Sequence, residues 1–309
     1  MTESPPIALP LADALFLSDA QLRASRVSLS ATAMPPRLRP GAELGVLDIT
    51  EFYGDTTGGI RTYLRQKSAY VEARPRFRQV LSLPGSHDAI TESDGVRAYR
   101  LQGPRVPGQA PYRFMLAAGS NRRIVVHEQP DVIEVGSPAL VPWIVRLAAR
   151  GLDIPVVAFY HSNFPRVFSP WPEQSPWARR TMHNLGWRYA RQLDRHFAHT
   201  IVCSRFVGDD LKRAGIDRVT QIPLGVDLRT FHPLRRAERL EVRDRYGLPF
   251  GLLAGFVGRF APEKELEVLL AAWPAVYKKT GATLLLVGDG PQQAMLTQRA
   301  AQSPWLRIM

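Results

Sequence analysis

From Leu44 onward, short apolar and β-branched runs alternate with longer stretches whose apolar positions recur at helical spacing. The runs at 44–49, 79–83, 96–101, 132–135, 155–160, 200–203 and 219–222 predict strands. Between them, 60–71, 114–128, 140–150, 178–197 and 205–214 predict helices. Strands separated by helices imply βαβ crossovers and a mostly parallel sheet. A turn signal, Pro233 and a run of charges break the rhythm at 225–239. A second series follows: strand 252–257, helix 263–277, strand 283–287, helix 292–301 and a strand starting at Trp305.

This pattern predicts an α/β protein with a flexible tail at 1–42 and domains at 43–230 and 231–309. The apolar stretch at 7–17 is interrupted by Pro10 and Asp13 and lacks a basic leader, so it is a poor signal peptide. Pro35-Pro36, Pro40 and Gly41 keep the following chain extended. The second domain carries only about two βα units, below the usual domain size. Unpaired strand edges and exposed apolar positions at Leu266, Leu269, Leu270 and Trp273 are therefore expected. The chain reads as C-terminally truncated.

Composition narrows the partners. The 309 residues are 45% hydrophobic, with no run near the roughly 18 apolar residues of a membrane span, which reads as a soluble globular protein. A single cysteine, Cys203, excludes an internal disulfide framework and points to a reducing, cytoplasmic compartment. The net charge of +12 raises nucleic acid, anionic membranes and acidic small molecules as partners. Only five of the 40 basic residues are lysines and the arginines are scattered, which argues against nucleic acid.

Candidate chemistry gathers at strand ends. Gly58-Gly59 stands between the first strand and first helix, where glycines admit a ligand to the helix N-terminus; a plain tight turn reads equally well. No Gly-x-Gly-x-x-Gly occurs there, so a nicotinamide fingerprint fails. Gly258 ends an apolar strand, and Arg259 and Lys264 follow at the start of the next predicted helix. They read as a diphosphate clamp, or as charges neutralised by Glu263 and Glu265. Gly288-Asp289-Gly290-Pro291 repeats the arrangement one strand later. His161 follows a parallel strand, where ligands bind, with Asn163 beside it; a structural histidine is the alternative. Ser204 reads as a helix cap. No Asp-x-Asp occurs in the chain, and no Cys/His spacing suits zinc, so no metal site is expected. Residues 164–199 interleave arginines with aromatics, fitting either an anionic bilayer or an ordinary amphipathic helix.

In order, Gly58-Gly59-Ile60, Tyr160-His161-Ser162-Asn163-Phe164-Pro165, Ile201-Val202-Cys203-Ser204-Arg205-Phe206, Ile222-Pro223-Leu224-Gly225-Val226-Asp227, Val257-Gly258-Arg259 with Glu263-Lys264, and Leu286-Val287-Gly288-Asp289-Gly290-Pro291 resemble the family-four retaining glycosyltransferases. Their fold is GT-B, two Rossmann-like domains with parallel sheets, the second incomplete here. The Tyr-His-x-x-Phe-Pro form is most similar to bacterial mannosyltransferase-like members.

The resemblance implies a nucleotide-sugar donor, GDP-mannose or a UDP-hexose, with no further cofactor. Gly58, Gly59, Gly258, Arg259, Lys264, Gly288 and Gly290 would bind this donor; His161, Arg259 and Lys264 would be catalytic, and Asn163 would contact the acceptor. The position after Lys264, commonly small in the family, is Glu265, and no Glu-x7-Glu follows Glu267. The expected function is metal-independent, retaining hexosyl transfer to a lipid-linked or polysaccharide acceptor, at the inner membrane face. The competing reading is a non-catalytic nucleotide-sugar or membrane-surface binding module, and this chain by itself is expected to be inactive.

Overall fold

A computed structural model describes residues 16, 34–54, 58–107, 112–161, 163–167 and 176–309. The chain divides into two compact units, Met1–Leu224 and Gly225–Met309.

The first unit is an eight-stranded sheet in the order β3-β4-β2-β1-β5-β6-β7-β8. Its strands are β1 (Leu44–Ile49), β2 (Phe77–Gly85), β3 (Ala89–Ser93), β4 (Val96–Gln102), β5 (Val132–Val135), β6 (Val156–Tyr160), β7 (His199–Val202) and β8 (Val219–Gln221). All neighbours are parallel except β3 and β4. The helices are α1 (Gly58–Glu72), α2 (Ala118–Glu128), α3 (Val141–Ala148), the single turn α4 (Phe164–Val167), α5 (Pro176–Asp194) and α6 (Arg205–Arg213). Ser204 caps α6 by accepting the Val207 N–H at 3.4 Å.

Strand periodicity of two sorts the side chains between the faces. Leu47 and Ile49 of β1, with Ile133 and Val135 of β5, enter the larger core, which also takes residues of α2, α3, α5 and α6. The intervening Asp48 and Glu134 point to the opposite face, where Lys67 of α1 meets both. There Leu64 and Val71 of α1 pack with Leu81, Leu83, Val96 and Ala98. The sheet is thus covered on both sides, as a parallel sheet must be. The order reverses between β1 and β5, a topological switch point where such sheets leave a crevice at the carboxyl ends.

The second unit holds α7 (Arg239–Arg245), β9 (Leu253–Val257), α8 (Leu266–Thr280), β10 (Thr283–Val287), α9 (Gln293–Ala301) and β11 (Leu306–Ile308). Its strands are parallel in the order β11-β10-β9. Leu266, Leu270 and Trp273 form the inner stripe of α8 and are 1%, 4% and 8% exposed. The Trp273 indole donates to the Ala282 carbonyl at 2.9 Å.

Several expectations change. The apolar face of α8 is core, not exposed surface, because β9, β10 and α9 close over it. Residues 34–42 are not loose: Leu38 is buried in the main core, and Arg37 donates to the Glu128 carbonyl at 3.1 Å. Phe16 packs on Tyr53 with centroids 6.2 Å apart; the rest of the apolar stretch at 7–17 lies outside the described residues. Strand β3 escapes the apolar pattern because it is largely polar, Ala-Ile-Thr-Glu-Ser. Its sequence signal is Asp94-Gly95, a two-residue hairpin turn with Gly95 at φ +74°. A 3-10 helix over Pro233–Glu238 occupies the charged stretch where only a break was expected, and α7 follows it directly. The units divide at 224/225, six residues before the expected boundary.

Candidate active site

Three strand ends converge in the first unit. Thr50 follows β1, Gly136 follows β5 and His161 follows β6. A Cβ on Gly136 would stand 3.1 Å from the Thr50 Cβ and 3.7 Å from His161 Nε2, so glycine lets the three approach. The imidazole of His161 stacks on Phe159, with centroids 4.3 Å apart and planes 20° from parallel. Tyr63 of α1 stands edge-on to it at 5.2 Å. Burial pushes His161 down to about 4 against the pull of Asp48, with the Lys67 cation helping to keep the proton off. At neutral pH this ring is an uncharged hydrogen-bonding group.

Behind the ring lies a buried ionic cluster. Lys67 Nζ donates to Asp48 Oδ1 at 2.6 Å and to Glu134 Oε2 at 2.8 Å, with both carboxylates under a tenth exposed. Tyr63 donates its hydroxyl to Glu134 Oε1 at 2.9 Å, and Gln79 Nε2 donates to Asp48 Oδ2 at 2.7 Å. Burial pushes Asp48 up to about 7, against the stabilising Lys67 charge. Burial also opposes the charge on Lys67, but the two carboxylates outweigh it and hold the ammonium above its usual range.

Of the other first-unit candidates, Gly58 has φ +98° and opens α1, and a Cβ on Gly58 or Gly59 would meet nothing within 4 Å. Among the described residues, nothing crowds these two glycines at the start of the helix, where a ligand phosphate could be received. Asn163 gives its amide to Asp210 Oδ2 on α6 at 2.8 Å, while its Oδ1 is buried without a partner among the described residues. This geometry ties the loop after β6 to α6 and engages the amide nitrogen that the expected acceptor contact would use. Ser162 lies outside the described residues.

In the second unit, Gly258 and Arg259 follow β9, and Lys264 closes a short 3-10 turn over Pro262–Lys264. Helix α8 starts only at Leu266, so Lys264 does not occupy the first turn of the long helix as expected. Glu265, between the turn and the helix, has φ +50°. That left-handed backbone favours glycine, a physical reason for a small residue at this position. Arg259 is paired with Glu263 at 2.7 Å, and Lys264 is exposed. Gly288 and Gly290 have positive φ, and a Cβ there would strike the Gly258 and Phe260 carbonyl oxygens at 2.0 and 2.4 Å. Close passage of two loops thus explains both glycines without a ligand.

The sequence reading missed Tyr63, Lys67, Asp48, Glu134 and Gly136. The available signal was a carboxylate inside each of two apolar runs, Leu-Asp-Ile and Ile-Glu-Val, at the same depth of neighbouring strands.

Residues 57–230 match the family described as Glycosyltransferase Family 4, and residues 251–307 match Glycosyl transferases group 1. A GDP-mannose-dependent alpha-mannosyltransferase of Mycobacterium tuberculosis is 34% identical over 69% of this chain and 53% of its own length. A GDP-mannose-dependent alpha-(1-6)-phosphatidylinositol dimannoside mannosyltransferase of the same species is 28% identical, over 84% of this chain and 66% of its own length. The chain thus spans between half and two thirds of these relatives. Sucrose-phosphate synthase of Thermosynechococcus elongatus superposes with a TM-score of 0.62 at 19% identity, covering 86% of this chain and 70% of that one. That likeness concerns the fold, an α/β architecture with mostly parallel sheets of GT-B type. With more than half of its residues matched, the chain belongs to Glycosyltransferase Family 4.

Proposed function

We propose that this protein takes part in transfer of mannose, or a closely similar hexose, from GDP-mannose to a lipid-linked acceptor; a UDP-hexose is the second candidate donor. Arg259 and Lys264 on the loop leaving β9 carry this reading. Two cations there, Arg259 released from Glu263, would meet the diphosphate charge that develops as the sugar departs. Gly58 and Gly59 would admit the donor at the N-terminus of α1, and neutral His161 would hydrogen-bond the transferred sugar without exchanging a proton with it. Gly258, Gly288 and Gly290 would keep the second unit's loops low beneath the donor. The cations would do the work of a metal, so transfer is proposed to be metal-independent. Retention of anomeric configuration is proposed from family membership. The donor dependence of the mycobacterial mannosyltransferases supports GDP-mannose, and the acceptor of the second relative supports a lipid.

A membrane-facing surface fits the same reading. Among the described residues no helix is long and apolar enough to cross a membrane. Helix α5 and the residue after it carry exposed Arg180 and, at successive spacings of eight, three and four, Arg188, Arg191 and Arg195, with Trp177 75% and Leu185 48% exposed beside them. The spacing places them on one side of the helix, which suits an anionic leaflet and hence the cytoplasmic membrane face.

The test is nucleotide binding by thermal shift and calorimetry. GDP should stabilise the chain more than UDP, and Arg259→Ala or Lys264→Ala should abolish most of the gain. Equal indifference to both nucleotides would overturn the donor assignment.

A further inference from the structure

We infer that Tyr63 is a positioning residue for His161, held in place by the buried Lys67–Asp48–Glu134 cluster. The inference rests on the reading that His161 faces the transferred sugar.

Tyr63 itself is not placed to touch substrate through its hydroxyl, which is donated to Glu134 Oε1 at 2.9 Å. Its ring packs on Phe159 at 4.6 Å and stands edge-on to His161 at 5.2 Å. Phe159 and Tyr63 thus form two walls of the imidazole's seat, and Gly136 lies beside its Nε2. Lys67 lies one helical turn after Tyr63, so both side chains descend on the same strand pair. Glu134 divides its oxygens between them, Oε1 to the tyrosine and Oε2 to the lysine. Asp48 likewise divides its oxygens between Lys67 and Gln79, and Gln79 Oε1 accepts from Ser68 Oγ at 2.8 Å.

Stability does not explain such a chain. Well-packed apolar residues of similar volume commonly serve as well as, or better than, a buried ion pair. What the cluster adds is a fixed direction for the Tyr63 hydroxyl, and thereby a fixed angle for the ring against His161. Among the described residues, the titratable groups acting on His161 are Asp48 on β1 and Tyr63 and Lys67 on α1, with Glu134 on β5 behind them, bound to Tyr63 and Lys67. Lys67 lowers and Asp48 raises the proton affinity of the ring.

The test follows the His161 ring resonances by NMR across pH 4–8 in the wild-type chain, assigned with His161→Gln. Tyr63→Phe, Lys67→Met and Lys67→Arg are compared with it. In the wild type the ring should stay unprotonated above about pH 5 with one set of sharp lines. Lys67→Met should raise its midpoint by on the order of one pH unit, and Lys67→Arg should restore it. Tyr63→Phe, which keeps the ring and loses the tether, should broaden or split the His161 lines. In mannosyl transfer it should lower kcat about tenfold with little change in donor KM.

His161 resonances identical to wild type in both Tyr63→Phe and Lys67→Met would overturn the inference. If Lys67→Met does not fold, an unchanged His161 spectrum in Tyr63→Phe is sufficient to overturn it. Full transfer activity in His161→Ala alongside the predicted spectral changes would remove the sugar contact while the seat stands, so the two failures are distinguishable.

Discussion

Asp48 and Glu134 lie directly opposite in the β1–β5 register and share one cation, the Lys67 ammonium. Both carboxylates sit at the switch point of the sheet, on the face covered by α1. The proton balance of this trio sets the first expected outcome.

Folding raises Asp48 from its ordinary 3.8 to about 7, chiefly by burial. The native state therefore binds more protons than the unfolded chain between those values. The contribution of this group is fully present below the lower value and is lost as pH rises through the upper. Asp48→Asn removes the titration. The melting temperature of Asp48→Asn minus that of wild type should accordingly become more favourable from pH 5 to pH 8. A difference that is flat or falls over this interval would contradict the placement of Asp48.

Lys67→Met leaves two buried carboxylates without their cation. The loss should be about 3–5 kcal/mol, the range for breaking one partner out of a buried pair, measured by urea unfolding. A loss below about 1 kcal/mol, the range of exposed pairs, would mean that solvent reaches the cluster.

Glu265 holds a left-handed backbone, which costs a non-glycine residue about 1–2 kcal/mol. Glycine gives back part of this through its unfolded-state freedom. Glu265→Gly should leave the melting temperature unchanged or higher. It also removes a negative charge near Lys264 and should tighten GDP binding by calorimetry. Weaker GDP binding in this variant would count against a diphosphate site on this turn.

Arg259 is engaged with Glu263 in a partly exposed pair that a diphosphate would replace. Arg259→Ala and Lys264→Ala should each lower kcat/KM for mannosyl transfer on the order of 10²-fold, the scale of one transition-state charge contact. Chelation of divalent cations with EDTA should leave wild-type turnover in place. Near-normal turnover in both variants would remove the clamp.

Most of the scaffold was legible because parallel strands buried on both faces read as apolar runs, as at Leu44–Ile49 and Thr283–Val287. The hairpin strand Ala89–Ser93 was not, since an edge strand of mixed polarity carries no such run; only Asp94-Gly95 marks it. That His161, Arg259 and Lys264 follow strand ends was legible from the apolar runs before them. Lys67 was not, because a lysine in an amphipathic helix reads as surface, and only the three-dimensional pairing of β1 with β5 brings two carboxylates beneath it. The close passage of loops at Gly288 and Gly290, where a Cβ would stand 2.0 and 2.4 Å from carbonyl oxygens, was not legible, because it is a non-local fact.

The central claim, mannosyl transfer by this fold to a lipid-linked acceptor, is tested most directly by incubating the protein with GDP-[14C]mannose and membranes containing phosphatidylinositol mannosides, then counting the chloroform-soluble fraction. The second unit builds its own core, so the account departs from the expectation of an inactive chain and predicts label in that fraction from GDP-mannose, little from UDP-hexoses, and loss of most of it in the Arg259→Ala and Lys264→Ala variants. Label absent from the lipid fraction with every donor, while GDP and these membranes are still bound, would contradict catalysis and leave a binding module.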